Sequence, residues 1–275
     1  MNKLEGKVAL LTGSGRGIGR EVALQLAAYG ARIVVNDLDS APAEQVVAEI
    51  RAAGGDAVAC AGSVTAVDFP ERFVKTALDS FGGIDIIVNN AGYTWDTVIQ
   101  KMTDEQWYAI LDCHLSAPFR ILRAAQPVFS AVAKQEAAEG REVMRKVVNI
   151  SSVAAGGNPG QANYSAAKAG ILGMTKTLAK EWGRLKVCVN AVAFGHIETR
   201  LTQPLAGEVK TVSIEGREIK VGISDELVAA AKTMIPLGRP GTPKEAAGAV
   251  VMLCLPEADY VSGQTVICGG GFGSV

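Results

Sequence analysis

The chain is 275 residues long, 48% hydrophobic and 20% charged, with a formal net charge of −1. That apolar content supports a sizeable core in a single domain spanning 1–275, with no Pro/Ser-rich linker or charge block to divide it. Acidic and basic residues are interspersed, leaving no electrostatic footprint for nucleic acid or an anionic membrane, and no apolar run approaches the ~20 residues of a membrane span.

Residues 1–7 carry no long apolar stretch, so no leader is expected before the first strand. Cys60, Cys113, Cys188, Cys254 and Cys268 stand apart without C-x-x-C spacing. Buried free thiols of a reducing compartment fit that pattern, with neither a metal site nor disulfides expected. A soluble cytoplasmic protein is the resulting expectation.

Short apolar runs alternate with longer amphipathic stretches, the pattern of βαβ units in an α/β, doubly wound fold. Strands are predicted at 8–12, 32–36, 57–60, 84–89, 147–151, 186–191 and 264–268, and helices at 18–29, 41–53, 68–80, 103–132, 162–182 and 243–255. The strands are β-branched and almost continuously hydrophobic, which suits burial on both faces of a parallel sheet. Two segments look like additions to this plan. Residues 134–146, rich in Glu, Ala and Arg, extend a helix and its following turn on the solvent side. Residues 196–235 form a substrate-covering lid, or else a surface or subunit-contact loop, and within them 212–221 alternates apolar and polar around Glu215-Gly216, as a hairpin does.

The first strand runs straight into Thr12-Gly13-Ser14-Gly15-Arg16-Gly17-Ile18-Gly19, which opens a helix. Gly13 allows the tight turn, Gly17 lets backbone approach a pyrophosphate, Gly19 permits close helix–strand packing, and the amides at the helix start face the phosphates. The spelling is G-x-x-x-G-x-G, with Ile18 where a G-x-G-x-x-G motif has its third glycine. Asp37 ends the next strand, where a carboxylate accepts from both adenosine ribose hydroxyls and repels a 2′-phosphate, favouring NAD. Arg16 argues for NADP, since a guanidinium in the turn can meet that phosphate. Asp37 carries more weight, because a phosphate against an uncompensated carboxylate is costly; NAD is expected, with NADP possible.

Tyr164 and Lys168, four residues apart, share one face of the predicted helix 162–182. Lowering a phenol from pKa ~10 by two to three units takes roughly 3–4 kcal/mol. An ammonium at ~4 Å supplies about that much at an effective dielectric of ~20. The spacing is therefore sufficient to make an acid of Tyr164, provided that the helix faces a cleft.

The glycine turn, Asn89-Asn90-Ala91-Gly92, Asn149-Ile150-Ser151-Ser152 and Tyr164-x-x-x-Lys168, in that order, resemble the short-chain dehydrogenase/reductase family from about Lys3 to Phe272. Within it, residues 160–170 are most similar to 3-oxoacyl-carrier-protein reductases and 3-hydroxyacyl dehydrogenases. The resemblance implies a seven-stranded Rossmann fold, a homotetramer or homodimer, and hydride transfer between nicotinamide and a carbonyl or alcohol. It also implies that Tyr164 exchanges the proton, that Lys168 lowers its pKa and holds the nicotinamide ribose, and that Ser152, with Ser151 as the neighbouring alternative, fixes the substrate oxygen. Gly13, Ser14, Arg16, Gly17, Ile18, Gly19, Asp37, Asn90, Ala91 and Gly92 are then cofactor-binding, and Ile197 and Thr199 meet the nicotinamide amide. Ser63-Val64 takes the place of an Asp-Val pair that frames adenine, and Phe194 replaces a frequent proline. His114 stands where the family has a catalytic asparagine. That asparagine is held to support a water linking the active-site lysine to solvent; an imidazole can hold such a water and, with a pKa near 6.5, add pH sensitivity, a histidine bonded within a helical kink being the alternative.

The leading expectation is an NAD(P)-dependent oxidoreductase acting on a 3-oxoacyl thioester or a similar keto or hydroxy substrate, such as a 3-hydroxyacyl-CoA, sterol, sugar or polyol. A nucleotide-sensing protein that keeps the fold without chemistry is the non-enzyme alternative, disfavoured because Tyr164 and Lys168 are both present. An epimerase would want more than the 76 residues that follow Thr199. Only two histidines are present, neither in a nucleophile-elbow setting, which disfavours a serine hydrolase.

Overall fold

Alternate residues of the first strand part to opposite sides of a sheet: Ala9 and Leu11 enter one core cluster, Val8 and Leu10 the other. Both sets are fully buried, which is why this strand is apolar throughout. In the computed structural model of the chain, which describes residues 2–199, 210–222 and 233–273, the elements follow one another as βα units. They are β1 (Val8–Leu11), α1 (Gly17–Ala28), β2 (Arg32–Val35), α2 (Ser40–Ala52), β3 (Ala57–Ala59), α3 (Phe69–Phe81) and β4 (Ile86–Asn89). Then come α4 (Asp104–Leu111), α5 (Ala117–Ala138), β5 (Arg145–Ser152), α6 (Ala162–Trp182), β6 (Val187–Phe194), β7 (Lys210–Ile214), β8 (Arg217–Val221), α7 (Pro243–Cys254) and β9 (Thr265–Cys268).

The sheet has seven strands in the order β3-β2-β1-β4-β5-β6-β9, each neighbouring pair parallel. Residues of α1, α2 and α7 fill one core cluster and residues of α3, α5 and α6 the other, so helices cover both faces. This is the expected α/β Rossmann architecture. The chain steps outward from β1 to β3 and returns to β4, making a crevice at the carboxyl ends of β1 and β4, the topological switch point where such sheets bind ligands.

One expected helix divides. Residues 103–132 give α4, a wide π turn over Asp112–Ser116, and α5. Pro118 has no amide to return to the carbonyl of His114, and the ladder there widens so that Ala117 N–H reaches the Asp112 carbonyl five residues back. α5 then runs on to Ala138, and a turn through Gly140 (φ 69) leads into β5. β6 extends to Phe194, beyond the expected end at 191, because Ala191–Phe194 pair with Thr265–Cys268 of β9. The expected hairpin forms as β7–β8, antiparallel, with Glu215-Gly216 at its tip. Part of the 196–235 segment, Leu201 included, lies outside the described residues.

Candidate active site

At the carboxyl end of β1 the chain turns over Gly13 and enters α1, whose first turn has no side-chain cap and no acidic residue. Its leading amides are free to meet an anion. Gly17 sits at φ 55 with nothing within 4 Å of the place its Cβ would take, and a Cβ on Gly19 would lie 2.2 Å from the Gly13 carbonyl. The turn is thus open on the cleft side and tight on the sheet side, which fits a dinucleotide's pyrophosphate. Two asparagines brace it from below. Asn36 accepts from Gly13 N–H at 3.2 Å while donating to the carbonyls of Cys60 and Gly62, both at 3.0 Å. Asn90 donates to the carbonyls of Thr12 and Gly13 at 3.1 and 2.9 Å.

The Arg16 guanidinium bridges two carboxylates, 3.1 Å from Asp37 and 2.9 Å from Asp39. A cleft of about 1020 Å³ runs from this corner to the ends of β5 and β6. Its walls include Gly13, Arg16, Gly17, Ile18, Gly19, Asp37, Ser63, Val64, Asn90, Ala91, Gly92, His114, Ser151, Ser152, Tyr164, Lys168, Ile197 and Thr199. Ser14 is the expected site residue that does not line it. Its hydroxyl turns inward, donating to the Leu11 carbonyl at 2.9 Å and accepting from Asn36 N–H at 3.2 Å.

β5 and α6 bring the hydroxyls and the ammonium together. Ser151 is buried and its hydroxyl donates to the Lys168 carbonyl at 2.8 Å. The Ser152 hydroxyl instead faces the Tyr164 phenol and draws its pKa downward. Lys168, 3% exposed, donates to the Ile150 carbonyl at 2.7 Å, with Nζ 5.5 Å from the centre of the Tyr164 ring. Desolvation dominates both titrations: enclosure pushes the phenol up to about 12 and Lys168 down to about 8. The expected lowering of Tyr164 by Lys168 is therefore overturned for the protein's own charges, because the ammonium is spent on a backbone carbonyl and enclosure of the phenol outweighs its field.

His114 sits in the π turn with its ring edge-on to Tyr164, centroids 5.1 Å apart. Nε2 lies 2.7 Å from the Tyr93 carbonyl. With the proton there, Nδ1 is an acceptor, and it is buried without a partner. The ring packs so closely on Gly92 that a Cβ there would lie 2.1 Å from Cε1. Burial and the Lys168 charge hold its pKa well below 6.5. The expected pH sensitivity near neutrality is overturned for that reason: the imidazole stays neutral.

The family profile described as short chain dehydrogenase matches residues 7–210. The chain belongs to the short-chain dehydrogenase family. Over 274 residues, 98% of each chain, it is 42% identical to a 3-oxoacyl-[acyl-carrier-protein] reductase of Synechocystis sp.. It is 38% identical to proteins of the same description from Vibrio cholerae, over 269 residues and 98% of each chain, and from Staphylococcus aureus, over 267 residues, 96% of this chain and 97% of the relative. As a short-chain dehydrogenase the protein is an oxidoreductase using a nicotinamide cofactor.

Some residues of this short-chain dehydrogenase escaped the sequence reading. Asn163, fully buried, donates to the carbonyls of Trp95 and Gln106 at 3.3 and 3.0 Å and accepts from Tyr164 N–H at 2.8 Å, fixing the start of α6. Its place directly before Tyr164 was the available signal. Asp96 lines the cleft, accepts from Gln161 at 2.7 Å, and is raised by burial. Asp39 carried no local signal, and Glu215 was marked only as part of the hairpin turn. Basic side chains beside the cleft would suit a carrier protein, but Arg145 is buried against Glu136 at 2.7 Å, Arg141 pairs with Glu139, and Arg123 lies 5.0 Å over the Phe119 ring. None of the three lines the cleft.

Proposed function

We propose that the protein reduces a 3-oxoacyl thioester, or a closely similar 3-keto substrate, to the 3-hydroxy product with NADH as the preferred reductant. The observation that carries this reading is the convergence of Ser152, Tyr164 and Lys168 with an open glycine turn in one cleft. Gly13, Arg16, Gly17, Ile18, Gly19, Asp37, Ser63, Val64, Asn90, Ala91 and Gly92 hold the dinucleotide, with Ile197 and Thr199 at the nicotinamide amide. The nicotinamide supplies the hydride. Ser152 donates a hydrogen bond to the substrate's carbonyl oxygen, and Tyr164 gives its proton to that oxygen as the alcohol forms. Lys168 binds the nicotinamide ribose. His114 steadies the phenol edge-on, and its Nδ1 accepts from a water that returns the proton.

Two observations support the finer parts. A phenol held protonated through neutral pH is a donor, which favours reduction. Arg16 is already bridged by Asp37 and Asp39, which favours an unphosphorylated ribose. The relatives' names support the acyl class. A cytoplasmic homotetramer or homodimer completes the reading: on the β9 edge Ile267 and Met252 stand 40% and 50% exposed, and a monomer by light scattering would refute it. The test of function is a panel of 3-oxoacyl thioesters, sterols, sugars and polyols with NADH and NADPH. Acyl thioester reduction with NADH is expected; turnover confined to another class, or surviving Tyr164→Phe intact, would overturn the reading.

A further inference from the structure

The β7–β8 hairpin has no part in the chemistry above, yet Val212, Ile214 and Glu215 line the same cleft. It is fastened differently on its two sides. Toward α4 it is anchored by packing: Ile219 is buried in the core cluster with Tyr93 and Ile110, and Arg217 donates to Glu105 at 2.8 Å and lies 5.9 Å over the Trp95 ring. Toward the loop after β3, among the described residues, a carboxylate makes the hydrogen-bonded connection. Glu215 accepts from the Ser63 hydroxyl and, at 2.8 Å, from the Thr65 hydroxyl. Exposed polar contacts open at far lower free energy than a buried apolar anchor, so the side that lets go is the Glu215 side.

The tip conformation is an independent observation. Glu215 has φ 51, and only Lys186 shares a left-handed φ among the non-glycine described residues. The two-residue turn Glu215-Gly216, with both φ positive, is the type that Asn or Gly fills without strain. A glutamate held there, with its carboxylate on the far wall of the cleft, keeps an unfavourable backbone in exchange for that contact. The wall it reaches, Gly62–Thr65, borders Asp37 at the end of the cleft assigned above to adenosine.

We propose that the hairpin is a latch across the adenosine end of the dinucleotide cleft and that Glu215 fastens it, so that cofactor enters and leaves when its contacts to Ser63 and Thr65 break. This rests on the dinucleotide reading of the cleft. The test is stopped-flow fluorescence of NADH binding and displacement on the full-length wild-type protein, E215Q, E215G and T65V. E215G removes the carboxylate while relieving the left-handed strain, so its melting temperature should equal or exceed that of the wild type. Release at least tenfold faster in E215G, with association also faster and a smaller change in E215Q, whose amide oxygen still accepts, is expected for an opened gate. Combining T65V with E215G should add nothing to E215G alone, because Thr65 acts through the carboxylate that E215G removes. Release within twofold of the wild type in E215G, or effects of E215G and T65V that multiply, would overturn the latch alone. Wild-type protein that binds neither NADH nor NADPH would overturn the dinucleotide reading and the latch with it.

Discussion

Strand β5 has a buried cation at each end, and the two are treated oppositely. At its start Arg145, 4% exposed, makes a bidentate pair with Glu136 at 2.8 and 2.7 Å, with Asp85 3.9 Å away. The carboxylates raise the Arg145 pKa further, and the guanidinium in turn holds Glu136 below its usual range. Near its end Lys168 of α6 is buried just as deeply, donating to the Ile150 carbonyl, and its pKa falls to about 8. A compensated charge contributes structure and nothing that can react. A charge left short of compensation is thermodynamically poor and chemically useful, since it is the one poised to gain or lose a proton near neutral pH.

Breaking the catalytic end should give the largest effect. Tyr164→Phe removes the proposed proton donor and is expected to lower turnover by about 10²–10⁴. Lys168→Met should do comparable damage while stabilising the fold. A pKa depressed from 10.5 to about 8 corresponds to a penalty on the order of 3 kcal/mol for the buried cation. The sign follows from proton binding: the penalty is present in full below about 8 and fades as pH rises toward 10.5, where the unfolded lysine also loses its proton. Denaturant titrations should therefore find Lys168→Met more stable than the wild type at pH 7, with the gap closing at alkaline pH. Equal stability at pH 7 would mean that the cation is compensated after all.

Breaking the other end inverts the outcome. Glu136→Ala strands Arg145 in the interior and should cost about 3–5 kcal/mol of stability. Turnover of the folded fraction should stay near that of the wild type, because Arg145 does not line the cleft. Glu136 has its pKa lowered chiefly by Arg145, so its contribution is present above the unfolded carboxylate value and lost as pH falls through the folded one. The variant should accordingly lack that part of the wild type's acid sensitivity. A loss of catalysis larger than the loss of fold would break the division between the two ends.

How much of this was readable beforehand depended on range. The parallel strands, the glycine turn, Asp37 and the Tyr164–Lys168 pair were legible because each is written in local period or spacing, whereas Ser152, with Ser151 as its alternative, rested on the family resemblance. The direction of the Tyr164 shift was not, since spacing fixes the distance to Lys168 while enclosure fixes which contribution wins. The division of 103–132 had its cause in plain view at Pro118, but the amphipathic period runs through the π turn without a break. Ser14 was misjudged because a hydroxyl in a glycine turn is as useful inward, on Leu11 and Asn36, as outward. Asp39 meets Arg16 23 residues away, and Glu215, besides its neighbour Arg217, reaches Ser63 and Thr65 150 or more residues distant, separations that no local pattern encodes.

His114 lies between the two extremes, with Nε2 bonded and Nδ1 open. His114→Ala should slow turnover more than tenfold while dinucleotide affinity changes little, and single-turnover assays with fluorescence titration separate the two. Because its pKa is held well below 6.5, the wild-type rate of reduction should show no inflection between about pH 6 and 7 from this residue. The rate should instead stay level and then fall as pH rises through about 8, where Lys168 loses its proton. An inflection near neutrality that disappears in His114→Ala would show that the imidazole titrates there and is less enclosed than the packing on Gly92 implies.

Arg16 extends the comparison to the surface, where a cation is compensated twice over. It is 42% exposed, and Asp37 and Asp39 both engage it. Solvent screens such pairs, so the expected effect is the smallest of the set. Asp39→Ala removes one partner and frees half of the guanidinium without touching Asp37, the carboxylate proposed to meet the ribose. NADPH should then bind about tenfold tighter than to the wild type, with NADH binding nearly unchanged, as read by paired titrations at low and high salt. The gain should shrink at high salt, because it comes from an exposed charge meeting a phosphate. A gain that resists salt would instead mean that the 2′-phosphate is met by a buried donor, and the cation that selects the cofactor would then have to be sought elsewhere in the cleft.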